Sequence, residues 1–152
     1  MPLAAVRPAM AFAAGLSFAP ITAAAQCTIT TMPINFGTYL PFSSTPMAST
    51  GTVTVGCRLY GPYAISLSAG AHSSGTFSDR RMRHATSYMS YQLYTNASHT
   101  TVWGDGSGGT TFVTGFCSGV CSNPYTVYAQ VAARQLVRPG NYTDTITVMV
   151  NF

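Results

Sequence analysis

The sequence predicts an all-β domain, and three observations carry that reading. Ser, Thr, Gly, Tyr and Val abound while Lys and Glu are absent, a composition that favours strands and turns. Apolar residues recur at every second position in stretch after stretch of the mature chain, with no competing helical period. The strongest alternation comes last, in residues 142–152, where Tyr142, Ile146, Val148, Val150 and Phe152 share one face. The chain then stops, so this strand is expected to leave an open edge that pairs with another chain.

Six strands are expected in order. Residues 27–38 form the first, an edge or bent strand because Pro33 interrupts it. Residues 51–59 place Val53, Val55, Cys57 and Leu59 on one face, and residues 63–69 turn Tyr63, Ile65, Leu67 and Ala69 inward. Residues 87–95 do the same with Met89, Tyr91 and Leu93, and residues 124–133 with Tyr125, Val127, Ala129 and Val131. The sixth is the C-terminal strand. Between the fourth and fifth, residues 99–115 contain Trp103-Gly-Asp-Gly-Ser-Gly-Gly109, too rich in glycine for a strand and expected to be a long surface loop. Short strands at near-regular spacing, with one cysteine near the start and another in the second strand, fit an immunoglobulin-like β-sandwich. Such a sandwich has at least seven strands, so this one is expected to be incomplete, its final strand supplied in trans.

Arg7 precedes a small apolar run from Ala9 to Ile21 and then Ala23-Ala24-Ala25, the pattern of a secretory signal peptide cleaved before Gln26. Gly15 and Pro20 interrupt a run shorter than the ~20 apolar residues of a membrane span, and Gln26 is a poor neighbour for a lipid-anchored Cys27. The expected organisation is a signal peptide over residues 1–25 and one domain over residues 26–152. The 127 residues left after cleavage suffice for a domain with its own core. Six Arg against three Asp then give a mild +3, which does not imply nucleic acid. Four cysteines in an exported chain point to disulfides, with three pairings open. Cys117 and Cys121 flank Ser118-Gly119-Val120, a short loop that could close on itself and leave Cys27 and Cys57 to join distant segments. His72, His84 and His99 show no metal-ligand grouping.

Catalytic patterns are absent from the sequence. Gly104-Asp-Gly-Ser-Gly-Gly109 resembles the surroundings of a protease serine, but Gly106 intervenes, no fitting His and Asp follow, and Ser107 reads as a turn residue. No Lys-Ser or Lys-Thr follows the glycines, which excludes a phosphate loop. Asp79, Asp105 and Asp144 are the only carboxylate side chains, too few and too scattered for paired acid-base chemistry. No cofactor is expected. Arg80, Arg81, Arg83 and His84 form the one basic cluster. Together with Trp103, the three arginines are candidates for surface recognition, against the plainer reading of a solvated turn. Asp144 is expected to cap or tether a turn by accepting backbone hydrogen bonds. Asn96-Ala-Ser98 and Asn141-Tyr-Thr143 match a glycosylation pattern that is usually silent in bacteria.

A series of motifs in order, Cys27, Asn35-Phe-Gly-Thr-Tyr39, Gly51-Thr-Val-Thr-Val-Gly-Cys57, Arg80-Arg-Met82, Tyr91-Gln-Leu-Tyr94, Trp103-Gly-Asp-Gly106, Tyr125-Thr-Val-Tyr128, Gln135 and Gly140-Asn-Tyr-Thr-Asp144, resembles the spore coat protein U domain family over nearly all of residues 27–152. The resemblance implies a secreted spore-coat protein or a subunit of an archaic chaperone-usher pilus. It also implies an incomplete immunoglobulin-like sandwich that accepts a strand from a periplasmic chaperone and then from a neighbouring subunit, at an outer-membrane usher. It implies pairing of Cys27 with Cys57, and an acceptor groove lined by the first and last strands, with Ile146, Val148, Val150 and Phe152 as lining residues. The localisation implied is the cell surface, in a fimbrium or spore coat, with contact to abiotic or cell surfaces.

Two features depart from that family. Only Gln26 stands between the expected cleavage site and Cys27, where a polymerising subunit carries a donor strand, so the chain is expected to accept a strand without donating one. That suits a terminal place in the fibre, an assembly that ends after one addition, or a coat protein that packs by other surfaces. The Cys117 and Cys121 pair is the other departure, expected to staple a loop. The rival expectation is a self-complete adhesin or carbohydrate-binding module, with the Trp103 loop and the basic cluster carrying recognition.

Overall fold

The computed structural model describes residues 27–152; the expected signal peptide lies outside them. Six strands form one antiparallel sheet: β1 (Cys27–Met32), β2 (Met47–Leu67), β3 (Arg81–His84), β4 (Ser87–Tyr94), β5 (Val113–Val131) and β6 (Val148–Asn151). The order is β1-β2-β5-β4-β3, with β6 also paired to β2. The count of six matches the expectation, but the boundaries do not. β1 stops at Met32, immediately before Pro33, whose missing N–H ends the ladder.

The second and third expected strands are one, because β2 runs unbroken through Gly61 and Pro62 for 21 residues. A straight strand of that length would run about 70 Å. Instead the β2–β5 ribbon folds back on itself: Val53 and Leu67, fourteen positions apart, line the same cleft. The fold-back lies where Cys57 faces Cys121 and Gly61 faces Cys117 across the ladder. Cys117 is bonded to Cys121 there, with Cα atoms 5.5 Å apart, where four extended residues would span about 13 Å. Gly119 supplies the turn between them at φ +107°, a conformation that a side chain disfavours. The second disulfide therefore closes a corner within β5 rather than a loop ahead of it. Cys27 is bonded to Cys57, tying the start of β1 to β2 beside that corner.

β3 was not expected as a strand. It forms a hairpin with β4 that pairs Arg81 with Ser90 and His84 with Ser87, leaving a two-residue turn of Ala85 and Thr86. The inward faces read from the sequence make the core: Val53, Val55, Ile65, Leu67, Leu93 and Val131 are all buried.

Because β5 covers one edge of β2 along nearly its whole length, β1 and β6 both lie on the other edge, at residues 52–57 and 64–67. The fold-back at residues 57–61 separates these two stretches and turns them toward each other. The folded sheet is thus open along one side, between β1 and the C-terminal segment.

Candidate functional site

The C-terminal segment builds one wall of that opening. Tyr142, Asp144, Ile146, Val148 and Val150 are half-buried in alternation with exposed neighbours, as a strand with one buried face requires. Its backbone alternates too. Thr143 exchanges both hydrogen bonds with Arg83, the Thr145 carbonyl accepts from Ala71 N–H, and the Thr147 carbonyl accepts from Ser68 N–H. All these bonds leave on one edge. Among the described residues, the main-chain groups of Tyr142, Asp144 and Ile146 have no backbone partner. Strand geometry carries the same free edge on through Val148 and Val150.

The facing wall is the end of β1 and the segment after it. Between the walls, one cleft of about 390 Å³ has Thr31 and Ile34 on one side, Ile146 and Val148 on the other, and Val53 and Leu67 in its floor. A second stretch of about 770 Å³ continues it between residues 33–41 and 137–143. Ile34, Phe36, Met82 and Tyr142 line both stretches. Of the four residues expected to line a groove, Ile146 and Val148 do so. Val150 packs against the core, and Phe152 is 57% exposed with its ring 6.1 Å from that of Tyr63.

Asp144 fixes the wall in place. It sits on the inward, otherwise apolar face, with its side chain only 3% exposed. Its Oδ1 accepts from the N–H groups of Ala71 (3.0 Å) and His72 (3.2 Å) and lies 3.0 Å from His72 Nδ1. Its Oδ2 accepts from Tyr91 Oη at 2.6 Å. Burial, reinforced by this bond, pushes the Tyr91 hydroxyl well above the ordinary phenol range. The tether expected from the sequence is present and reaches further, joining the wall to β4 as well as to the turn at residues 70–72. Gly70 stands at φ +98°, and a Cβ there would collide with the Asp144 carboxylate.

Two of the residues assigned to surface recognition are buried, and the assignment is corrected accordingly. Arg80 is 0% and Trp103 1% exposed. The Arg80 guanidinium donates to the carbonyls of Ser68 and Trp103 and to Gln92 Oε1, with its shortest bonds at 2.7 Å, and lies 5.3 Å from the Phe77 ring centre. Burial lowers its pKa to about 10, an effect that Tyr91 and Asp144 oppose, so it stays charged at neutral pH. Trp103 Nε1 donates to the Ile65 carbonyl at 3.0 Å. Its loop is therefore pinned into the core at Trp103 and Gly104, and residues 105–109 beyond them are exposed. Arg81 is half-buried, paired with Asp79 at 3.0 Å and stacked over Tyr88. Arg83 is exposed and donates to the Ala85 carbonyl. The basic cluster is thus divided among a core, an ion pair and a hairpin.

Residues 13–149 match the family model of the Spore Coat Protein U domain. The chain belongs to that family. Protein U of Myxococcus xanthus is 34% identical to this spore coat protein U domain over 130 residues, 78% of this chain and 71% of the relative. Among solved structures, the domain is similar to a chain in the CsuC-CsuE chaperone-tip adhesion subunit pre-assembly complex from archaic chaperone-usher Csu pili of Acinetobacter baumannii. The TM-score is 0.61 and the identity 24%, over 83% of this chain and 39% of that one. The domain therefore spans well under half the length of that chain. The likeness is one of fold, and with it the folded-over sheet is an immunoglobulin-like sandwich, as its strand pattern predicts.

Proposed function

We propose that this spore coat protein U domain is a structural subunit of a surface pilus or coat, exported through the periplasm and assembled by accepting a β-strand from another chain. The observation that carries the reading is the free main-chain edge of residues 142–150 beside an apolar cleft. An added strand satisfies those N–H and C=O groups, and its alternate side chains fill the cleft. A periplasmic chaperone is the first donor and a neighbouring subunit the second, with the exchange at an outer-membrane usher. The work is structural, not catalytic. Burial of Arg80 and Trp103 counts against a self-complete binding module, since it removes two of the four residues on which that reading relied.

Export of the chain to a bacterial periplasm, with and without a chaperone of this type, tests the proposal. The expected result is soluble protein recovered only as a one-to-one complex, with little or none alone. A stable soluble monomer without the chaperone would overturn it. Whether the subunit also donates a strand is read from the same preparation, by looking for multimers after the chaperone is released.

A further inference from the structure

Resting on that strand-acceptor reading, we infer that the groove selects its donor by side-chain size, taking a bulky apolar residue over Met47 and Met89 and small aliphatic residues beside Ile146 and Val148. The two stretches of the groove differ in size and in floor. The narrower one, about 390 Å³, has a floor of buried Val53, Leu67, Leu93 and Val127, whose branched side chains hold fixed shapes. The wider one, about 770 Å³, is floored by Met47 and Met89 with Val131, and Met82 stands where the two stretches meet. Methionine is unbranched and adapts to the shape set against it. The walls differ in the same sense. Beside the narrow stretch, the C-terminal wall is held by Asp144 and by the bonds of Thr145 and Thr147. Beside the wide stretch, residues 33–41 and 137–142 belong to no strand.

The same adaptable floor suits two donors in succession, since each can seat a different large side chain there. From Arg138 to Val148 the wall offers room for a donor of about ten residues, with roughly every second one facing inward.

The test uses the exported full-length chain as recovered, alone or with its chaperone. Synthetic eleven-residue peptides carry Val at every inward position and Thr or Lys outward, and one inward Val at a time is replaced by Phe. Binding, or displacement of the chaperone, is followed by fluorescence anisotropy, and the position of the ring by shifts of 13C-labelled methionine methyl signals.

Phe is expected to tighten binding about tenfold at one or two adjacent inward positions at one end of the peptide, and to weaken it elsewhere. Those same peptides should shift the Met47 and Met89 methyl signals. Met89→Phe, which fills the floor, should abolish the gain from Phe; if that variant does not fold, the methyl shifts decide. Equal tolerance of Phe along the peptide, or a gain without methionine shifts, would overturn the size selection while leaving the acceptor reading intact. Failure of every peptide to bind would overturn the acceptor reading itself.

Discussion

Asp144→Ala is expected to destabilise the domain by about 3–5 kcal/mol, a fall in Tm of roughly 10–20 °C for a chain of this size. The carboxylate is nearly fully buried and serves two backbone N–H groups, the Tyr91 hydroxyl and the His72 ring. An alanine leaves the His72 N–H, the His72 ring and the Tyr91 hydroxyl without this acceptor, while the Ala71 N–H keeps the Thr145 carbonyl, and orphaned buried groups carry their full desolvation cost. Tyr91→Phe removes only one donor and should cost about 1–2 kcal/mol. The consequence for function follows from position. Loss of the tether frees the wall that carries the open edge, so Asp144→Ala should also lower the yield of chaperone complex. Thermal unfolding of the purified complexes, compared with their yield, checks both effects. A shift within a few degrees of the parent would mean that the wall is held by other contacts.

Arg80→Met is expected to cost about 3 kcal/mol or more and to release the Trp103 loop. Met approximates the length of the Arg stem but leaves the Ser68 and Trp103 carbonyls and Gln92 Oε1 without the donor they share. Arg80→Lys should recover only part of the loss, because an ammonium cannot reproduce the planar fork. Trp103 is the single tryptophan in the chain, so its fluorescence reports on this site alone. Emission should move to longer wavelength in Arg80→Met as the indole meets water, and cleavage by a non-specific protease should begin within residues 104–110. Unchanged emission would show that the indole is held without the arginine.

The alternation that predicts the core strands works because a strand with one dry face has no other way to arrange its side chains. Val53, Ile65, Leu93 and Val131 were placed by it and are buried. It failed at the corner, where Gly61-Pro62 and Ser118-Gly119-Val120 read as breaks. Locally they are bends, but the ladder continues through them because β2 and β5 bend together. β3 escaped because two of its four residues are arginines and none of the four is fully buried, with pairing to β4 rather than an apolar face holding them. Arg80 escaped for a related reason. A charge beside three other basic residues looks solvated, and only the fold brings the carbonyls of Ser68 and Trp103 to it. Asp144 was legible and could have been read further. It stands at an even position between Tyr142 and Ile146, so the alternation already places a carboxylate on the dry face, where it needs donors. The groove itself was legible only in part, because Ile146 and Val148 come from one alternating C-terminal segment while Met82 and Met89 come from a hairpin that the sequence pattern does not reveal.

Hydrogen exchange of the C-terminal backbone tests the central claim most directly. Amides of Asp144, Ile146, Val148 and Val150 should exchange rapidly when no strand is bound and slow by at least about a hundredfold once a chaperone or peptide strand is added, as for groups that enter a ladder. The amide of Thr143, already bonded to Arg83, should change far less. Protection of the even-numbered amides before any strand is added would contradict the account, because the edge would already be filled.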